Sequence, residues 1–375
     1  AAATALATGT KVNNGEVSLH NGKNINPLCG YIYCNNLKHL NKNLFDNPYV
    51  DKLDIVYYSF IHVEEDGTVT MPSTFLDSLE QVVNLRFKNV KPLVSINGAK
   101  GMSISCNNEV LRNKLVKSLV NFITENNFSG IDIDWEVPGS NELSIEVDKA
   151  NLNSFVKELK TSLLDKDSNY LLTMAVHGTP LGDNRYDYGY LNEYIDFYNV
   201  MSYDANLDDV TSHLCPLYKN EIDSRNYSID EAYHKLIKKI PNEKIILSAA
   251  FYGKAYQIDE DIENDLVIGK KAHYIQSEYQ SGTCHYFYIK SHYNKEKGFE
   301  VFFDSKTKST YAYNYKTKVF VTYDDPISLK AKIEYIKNKK VGLMFWDYGG
   351  DNDSELISVI IDNTKGEEYD KERKI

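Results

Sequence analysis

The sequence predicts an α/β protein: a closed (β/α)8 TIM barrel with a small α+β insertion between its seventh and eighth strands. Two observations carry this. Eight short apolar, β-branched or aromatic runs recur near residues 28–33, 53–62, 90–96, 129–136, 170–177, 195–203, 244–252 and 340–347, each with the length and composition of a buried strand. Most are separated by helix-length segments with apolar residues three or four apart, such as Leu111, Leu115, Leu119, Phe122 and Ile123, or Leu152, Phe155, Val156, Leu159 and Leu163. Alternating strands and helices imply parallel pairing. Eight such units close a barrel whose functional residues gather at the C-terminal ends of the strands.

The seventh and eighth runs are farther apart than a βα connection requires. The intervening stretch alternates polar residues with aromatics: Tyr286, Phe287 and Tyr288; Tyr311 and Tyr313; Phe320 between Val319 and Val321. A helical pattern of Leu329, Ile333 and Ile336 leads from it into the last strand. The expected organisation is a loose N-terminal segment over 1–25, a barrel over 26–254 and 327–365, an insertion over 255–326 and a charged tail over 366–375. No repeat of solenoid period and no low-complexity linker interrupts this plan.

Composition narrows the partners. The chain is 42% hydrophobic and 25% charged, the balance of an ordinary globular protein. Its 53 acidic against 42 basic residues give a net charge of -11, and no Lys/Arg stripe reverses it locally. Phosphate backbones and anionic lipid are therefore repelled, so neither nucleic acid nor a membrane surface is an expected partner. No apolar run approaches the roughly 20 residues that span a bilayer. The opening Ala1 to Thr10 has neither the basic start nor the apolar core of a signal peptide. Five cysteines, Cys29, Cys34, Cys106, Cys215 and Cys284, show no metal-binding spacing. Cys29 and Cys34 are close in sequence but point to opposite faces of a strand. Sequons at Asn127, Asn226 and Asn352 fit a secretory route. The 29 tyrosines are mostly a composition bias, although such rings also stack on sugars or bases.

Chemistry concentrates in Ser129–Gly130–Ile131–Asp132–Ile133–Asp134–Trp135–Glu136. Three carboxylates on alternate positions share one face of the strand. In a barrel that face points inward, so Asp132, Asp134 and Glu136 form a ladder from core to mouth while Ile131, Ile133 and Trp135 face the helices. Buried neighbouring acids cannot all ionise, so at least one proton is held and at least one pKa is raised. Such a stack keeps its top member available as a general acid near neutrality. A solvated edge strand or an oxygen-lined cation site would also place acids in alternation, but neither accounts for the Trp–Glu ending on a fourth barrel strand.

This run resembles the DGxDxDxE signature of glycoside hydrolase family 18, which includes the chitinases, with Ser129 in place of the first Asp. The resemblance extends from about residue 28 to 355. Tyr31 and Phe60 are similar to aromatic wall positions of the family's sugar site. Met201–Ser202–Tyr203–Asp204 looks like its MxYD motif, Tyr252–Gly253–Lys254 like YGR with Lys for Arg, and Trp346 like the tryptophan that floors the subsite on the non-reducing side of the cut. Ser95–Ile96–Asn97–Gly98–Ala99 departs from SxGG but keeps Gly98 as a substrate-wall position. The insertion is similar to the one that deepens the groove in the processive chitinase branch.

The resemblance implies a secreted, monomeric chitinase that hydrolyses β-1,4-linked N-acetylglucosamine polymers or oligosaccharides with retention, needing no metal or organic cofactor. Retaining glycosidases ordinarily oppose two carboxylates across the bond. The recognisable acids here share one strand, so the resemblance supplies substrate assistance instead. The substrate's 2-acetamido carbonyl attacks C1 and Glu136 protonates the leaving oxygen. Asp134 holds the acetamido N–H, Asp132 adjusts the charge of Asp134, and Tyr203 holds the acetamido oxygen. Alternatives within the same resemblance are an endo-β-N-acetylglucosaminidase acting on N-glycans, a peptidoglycan-cleaving variant, and a non-hydrolytic chitinase-like lectin. The barrel could also be the wall-docking part of a larger protein.

Overall fold

The computed structural model describes residues 27–40, 47–206, 208–220, 227–262, 267–279 and 281–365. The expected N-terminal segment 1–25, the tail 366–375 and the sequon residue Asn226 lie outside the described residues.

Eight strands run parallel: Leu28–Tyr33, Ile55–Val63, Lys91–Asn97, Gly130–Ile133, Leu171–His177, Phe197–Met201, Ile245–Ala250 and Gly342–Trp346. The first pairs with both the second and the eighth, so the ring closes. The expected (β/α)8 barrel is the fold observed. Register places Ser95 beside Asp132 and Asp132 beside Thr173, so polar side chains from three neighbouring strands meet inside at one level. The fourth strand hugs the fifth at Gly130. A Cβ there would lie 2.1 Å from the Leu171 carbonyl oxygen, at a φ of +155°.

The helices form where the apolar period and the caps agree. Glu109–Glu125 starts at Asn108, whose side chain accepts the Val110 and Leu111 amides at 2.9 and 3.1 Å, and it buries Leu115, Leu119 and Ile123. Ile145–Leu164 starts at Ser144 and buries Leu152, Phe155, Val156, Leu159 and Leu163. Pro326–Lys339 opens with a reciprocal cap between Asp325 and Ser328 and with Pro326 in its first turn.

A second, antiparallel sheet fills the long connection. Its central strand, Tyr252–Ile258, pairs on one side with Ala272–Tyr274 and Thr283–His285 and on the other with Val319–Tyr323. Ser309–Asn314 and Glu300–Asp304 continue outward from there. Tyr256, Ile258, Val267, Ile268, Ala272, Tyr313 and Phe320 give this sheet a small core of its own. The central strand already contains Tyr252 and Gly253, which the sequence reading left in the barrel, because they pair with His285 and Cys284.

Two contacts join the sheet to the barrel. Phe251 stacks on Phe345 with ring centres 4.3 Å apart, and its amide donates to the Trp346 carbonyl at 2.7 Å. At the exit, Asp324 accepts from the Ala250 amide at 3.1 Å, from the Ser328 hydroxyl at 2.9 Å and from the Lys332 ammonium. Asp324 and Lys332 are 2% and 1% exposed. All five cysteines are buried free thiols. Among the described residues, no helix is long and apolar enough to cross a membrane.

Removing one partner of a buried ion pair strands the other charge, which costs about 3–5 kcal/mol. Lys332→Ala is therefore expected to lose about that much stability in urea unfolding, and a loss below about 1 kcal/mol would show that Asp324 is satisfied without the ammonium.

Candidate active site

The site starts from strand parity. Inward positions of the first, third, fourth, fifth and sixth strands carry Tyr31, Ser95, Asp132, Thr173 and Asn199, all at the same depth. Asp132 is fully buried and accepts four hydrogen bonds: from Tyr31 Oη and Ser95 Oγ at 2.8 Å, from Thr173 Oγ1 at 2.6 Å and from Asn199 Nδ2 at 3.1 Å. Burial raises its pKa, and these donors oppose the rise.

One step up, Asp134 is 7% exposed, and its Oδ1 is buried without a hydrogen-bond partner. Burial first, then the charges of Glu136 and Asp132, push its pKa well above the carboxylate range. At the top, the Glu136 side chain is 46% exposed, and its Oε2 lies 2.9 Å from Nε2 of His177. The three acids thus occupy three environments: a satisfied core carboxylate, a buried acid without enough donors, and a solvent-facing acid held by an imidazole.

A cavity of about 220 Å³ opens at this end of the barrel, lined by Asp134, Glu136 and His177 on one side and by Met201, Tyr203, Asp204 and Tyr252 on the other. Its remaining walls are Tyr31, Phe60 and Trp346, with Asn97 and Ala175. Phe60 and Trp346 stack with centres 5.6 Å apart. Trp346 is 5.5 Å from Tyr31 and 5.9 Å from Tyr33, so the apolar wall is one continuous aromatic surface. Burial, then the charges of Glu136 and Asp134, hold the Tyr203 hydroxyl well above the usual phenol range, leaving it a neutral donor. The cis peptides Ser59–Phe60, Glu136–Val137 and Trp346–Asp347 all lie at this mouth.

Three residues expected at the site stand elsewhere. Asp132 lies beneath the cavity. Gly98 precedes the helix Ala99–Asn107 at φ +109°, where a Cβ would lie 2.7 Å from the Val63 carbonyl oxygen. It serves close backbone packing, and its neighbour Asn97 takes the lining position. Lys254 turns into the second sheet, donating to Thr283 Oγ1 at 2.6 Å with its ammonium 5.2 Å from the Tyr274 ring centre. The sequence reading did not single out His177. The signal was present in Thr173, Ala175 and His177, which share the inward parity of the fifth strand and end at the mouth.

Asp204 is a fourth acid in the cavity. Burial raises its pKa, opposed by the Tyr252 hydroxyl that donates to it at 2.8 Å. A carboxyl in that state is poorly suited to act as the ionised nucleophile of a two-carboxylate mechanism. Among the described residues, the cluster with metal-ligand chemistry is His39, Glu278 and His285, and none of the three lines this cavity.

Carboxylates climbing one barrel strand beneath an aromatic-walled cavity define the class, a glycoside hydrolase. The sequence profile of glycosyl hydrolases family 18 matches residues 29–351, and the chain belongs to that family. It is 26% identical over 329 residues to Chitinase 1 of Aphanocladium album, covering 78% of this chain and 74% of that one. To an endochitinase of Manduca sexta it is 29% identical over 333 residues, covering 79% of this chain and 58% of that one. Among solved structures, a family 18 N-acetylglucosaminidase from Paenibacillus barengoltzii superposes with a TM-score of 0.78 at 25% identity, covering 90% of this chain and 99% of that one. The class V chitinase of Nicotiana tobaccum shares the fold with a TM-score of 0.79 at 21% identity, covering 90% and 98%.

The raised pKa of Asp134 has a stability consequence of definite sign. The folded protein holds a proton that the unfolded chain releases near pH 4, so this group's contribution to stability falls as pH rises above about 4. Asp134→Asn, which cannot ionise, is expected to gain about 0.5–2 kcal/mol over wild type near neutrality and little at about pH 4. Equal differences at both pH values in urea unfolding would contradict the buried-acid account.

Proposed function

We propose that this protein is a chitinase that hydrolyses β-1,4 bonds between N-acetylglucosamine units with retention, using the substrate's own acetamido group as nucleophile. The observation that carries this reading is the unpartnered Oδ1 of Asp134. A buried polar atom without a partner costs about 1–3 kcal/mol. Its place beside Glu136 suits a substrate N–H arriving next to the bond to be cut.

In this mechanism Glu136, at the wet end of the ladder, gives its proton to the leaving oxygen and later takes one from water. His177 holds the Glu136 carboxyl toward the cavity. Asp134 turns to accept the acetamido N–H and offsets the positive charge of the oxazolinium, while Asp132, tied to four strands, cannot move with it and sets the local potential. Tyr203 donates to the acetamido oxygen. Tyr31, Phe60 and Trp346 supply the apolar surface for a sugar face, with Met201, Asp204 and Tyr252 opposite. Gly98 and Lys254 act indirectly, one through the backbone beside Asn97 and the other through the second sheet.

The chitinase names of the Aphanocladium and Manduca relatives support chitin as substrate, and Glu136 in place speaks for hydrolysis over mere binding. The same reading takes residues 255–326 as an insertion domain that deepens the groove. On the family resemblance it takes the protein as a secreted monomer, and the exposed sequon residue Asn127 agrees with export.

Glu136→Gln keeps the side chain's shape but cannot give a proton, so turnover of chitin hexasaccharide is expected to fall about 10²–10⁴-fold while the oligosaccharide still binds. Mass spectrometry of the products checks this, and full activity in the variant removes Glu136 from its role. Release of glycans from a glycoprotein, with the hexasaccharide left uncut, would move the function to the N-glycan branch.

Substrate assistance carries its own test. Fully deacetylated chitosan lacks the internal nucleophile and is expected to remain uncut. Efficient cleavage of it would refute the mechanism while leaving the hydrolase class standing.

A further inference from the structure

Outside the cavity, three side chains with metal-ligand chemistry converge from distant parts of the chain. His39 ends the short turn Cys34–His39 that follows the first barrel strand. Glu278 lies between two strands of the second sheet, and His285 ends the strand Thr283–His285. One donor atom from each lies within 4.8 Å of the other two.

His285 and Glu278 already form a tight pair. Nδ1 of His285 is 2.9 Å from both carboxylate oxygens, and the His285 amide donates to Oε2 at 2.8 Å. That pair satisfies itself and explains nothing about His39. The His39 ring sits 5.2 Å from the His285 ring, both flank Phe287, and Nε2 of His39 is buried without a hydrogen-bond partner. A second imidazole brought against a His–Glu pair, with its nitrogen desolvated and unpaired, is costly unless something binds there.

The charge states suit a cation. Burial, then the neighbouring His285, hold the His39 imidazole below its usual range, so it is neutral with a free lone pair. Burial works against ionisation of Glu278, but the bonds from His285 outweigh it and keep the carboxylate charged. Two imidazole nitrogens and one carboxylate are the donor set of zinc and similar borderline divalent ions, with an open position left for water. Tetrahedral zinc separates its nitrogen and oxygen donors by about 3.3 Å. The His285–Glu278 spacing is already close to that, so closure falls to a small rotation of His39.

We propose that His39, Glu278 and His285 form a binding site for a zinc-type divalent cation that ties the turn after the first barrel strand to the second sheet. The site lies beside the cavity without entering it. In the same turn, Asn36 donates through Nδ2 to Oδ2 of Asp347 at 2.7 Å, and Asp347 follows Trp346, so a bound ion steadies the segment that carries the Trp346 wall. The role is structural, and hydrolysis proceeds without the ion.

The test uses the untagged full chain, stripped with EDTA and titrated with zinc chloride by calorimetry, with thermal unfolding followed in parallel. Wild type is expected to take up one equivalent and to unfold at a higher temperature with zinc than without. His39→Ala is expected to unfold like wild type when metal-free, because Nε2 makes no hydrogen bond, but to lose the zinc-dependent rise and at least about ten-fold in affinity. His273→Ala, an exposed histidine paired with Asp259, keeps both. Cobalt in place of zinc is expected to give the intense visible bands of a four-coordinate ion. No stoichiometric uptake by wild type, uptake by His39→Ala as tight as wild type, or only the weak bands of six-coordinate cobalt would each overturn the proposal.

Discussion

The interior of the barrel depends on one buried carboxylate. Asp132 sits on the fourth strand and is held by hydrogen bonds from the first, third, fifth and sixth, so a single side chain fixes the relative height of five strands. Taking a carboxylate out of water costs several kcal/mol. Hydrogen bonds to a charged group return about 1.5–3 kcal/mol each, so four of them make the arrangement sustainable where one or two would not. The same four donors are then spent. Nothing at that level remains for Asp134, which therefore holds its proton. The three acids differ because donor supply runs out along the ladder and solvent supply begins only at Glu136.

The aromatic wall is subject to a second constraint. Tyr31 links the two systems: its hydroxyl donates to Asp132 while its ring packs 4.6 Å from Tyr57 and 5.5 Å from Trp346. Trp346 is held in turn through its carbonyl, which accepts the Phe251 amide at the point where the chain leaves for the second sheet. Wall, acid ladder and second sheet are thus mechanically continuous. A change in the sheet's seating reaches the sugar-facing surface through Phe251 and Phe345 rather than through the catalytic strand.

Much of this was legible in the chain because it is periodic. The strand runs were readable from apolar content, the ladder from period two, and the helices from apolar spacing reinforced by caps at Asn108, Ser144 and Asp325. What escaped the sequence depends on where side chains end rather than where they begin. Lys254 occupies a motif position, but its flexible stem carries the ammonium away to Thr283 and Tyr274. Gly98 fits the motif, but the close approach of Val63 makes it a packing position and hands the lining to Asn97. His177 was readable by parity, yet a lone histidine at a strand end stands out only once Glu136 is seen 2.9 Å away. The convergence of His39 with Glu278 and His285 had no local signal, since it arises from the way the second sheet folds back over the first turn.

Buried polar atoms without partners show where the molecule accepts a cost. Several of them, Ser59 Oγ, Asn97 Oδ1, Asp134 Oδ1 and Asn199 Oδ1, lie on inward positions of the barrel at or below the cavity. Each is a liability of about 1–3 kcal/mol for the folded chain, and together they would be hard to sustain in a small domain. The closed ring and its helices bury enough apolar surface to offset them. That surplus lets the mouth of the barrel keep groups whose satisfaction is deferred to a ligand. A non-hydrolytic binding protein would have little reason to keep an acid such as Asp134 buried and protonated, because aromatic stacking and exposed donors hold sugars at lower cost. The stored imbalance fits a site built for developing positive charge.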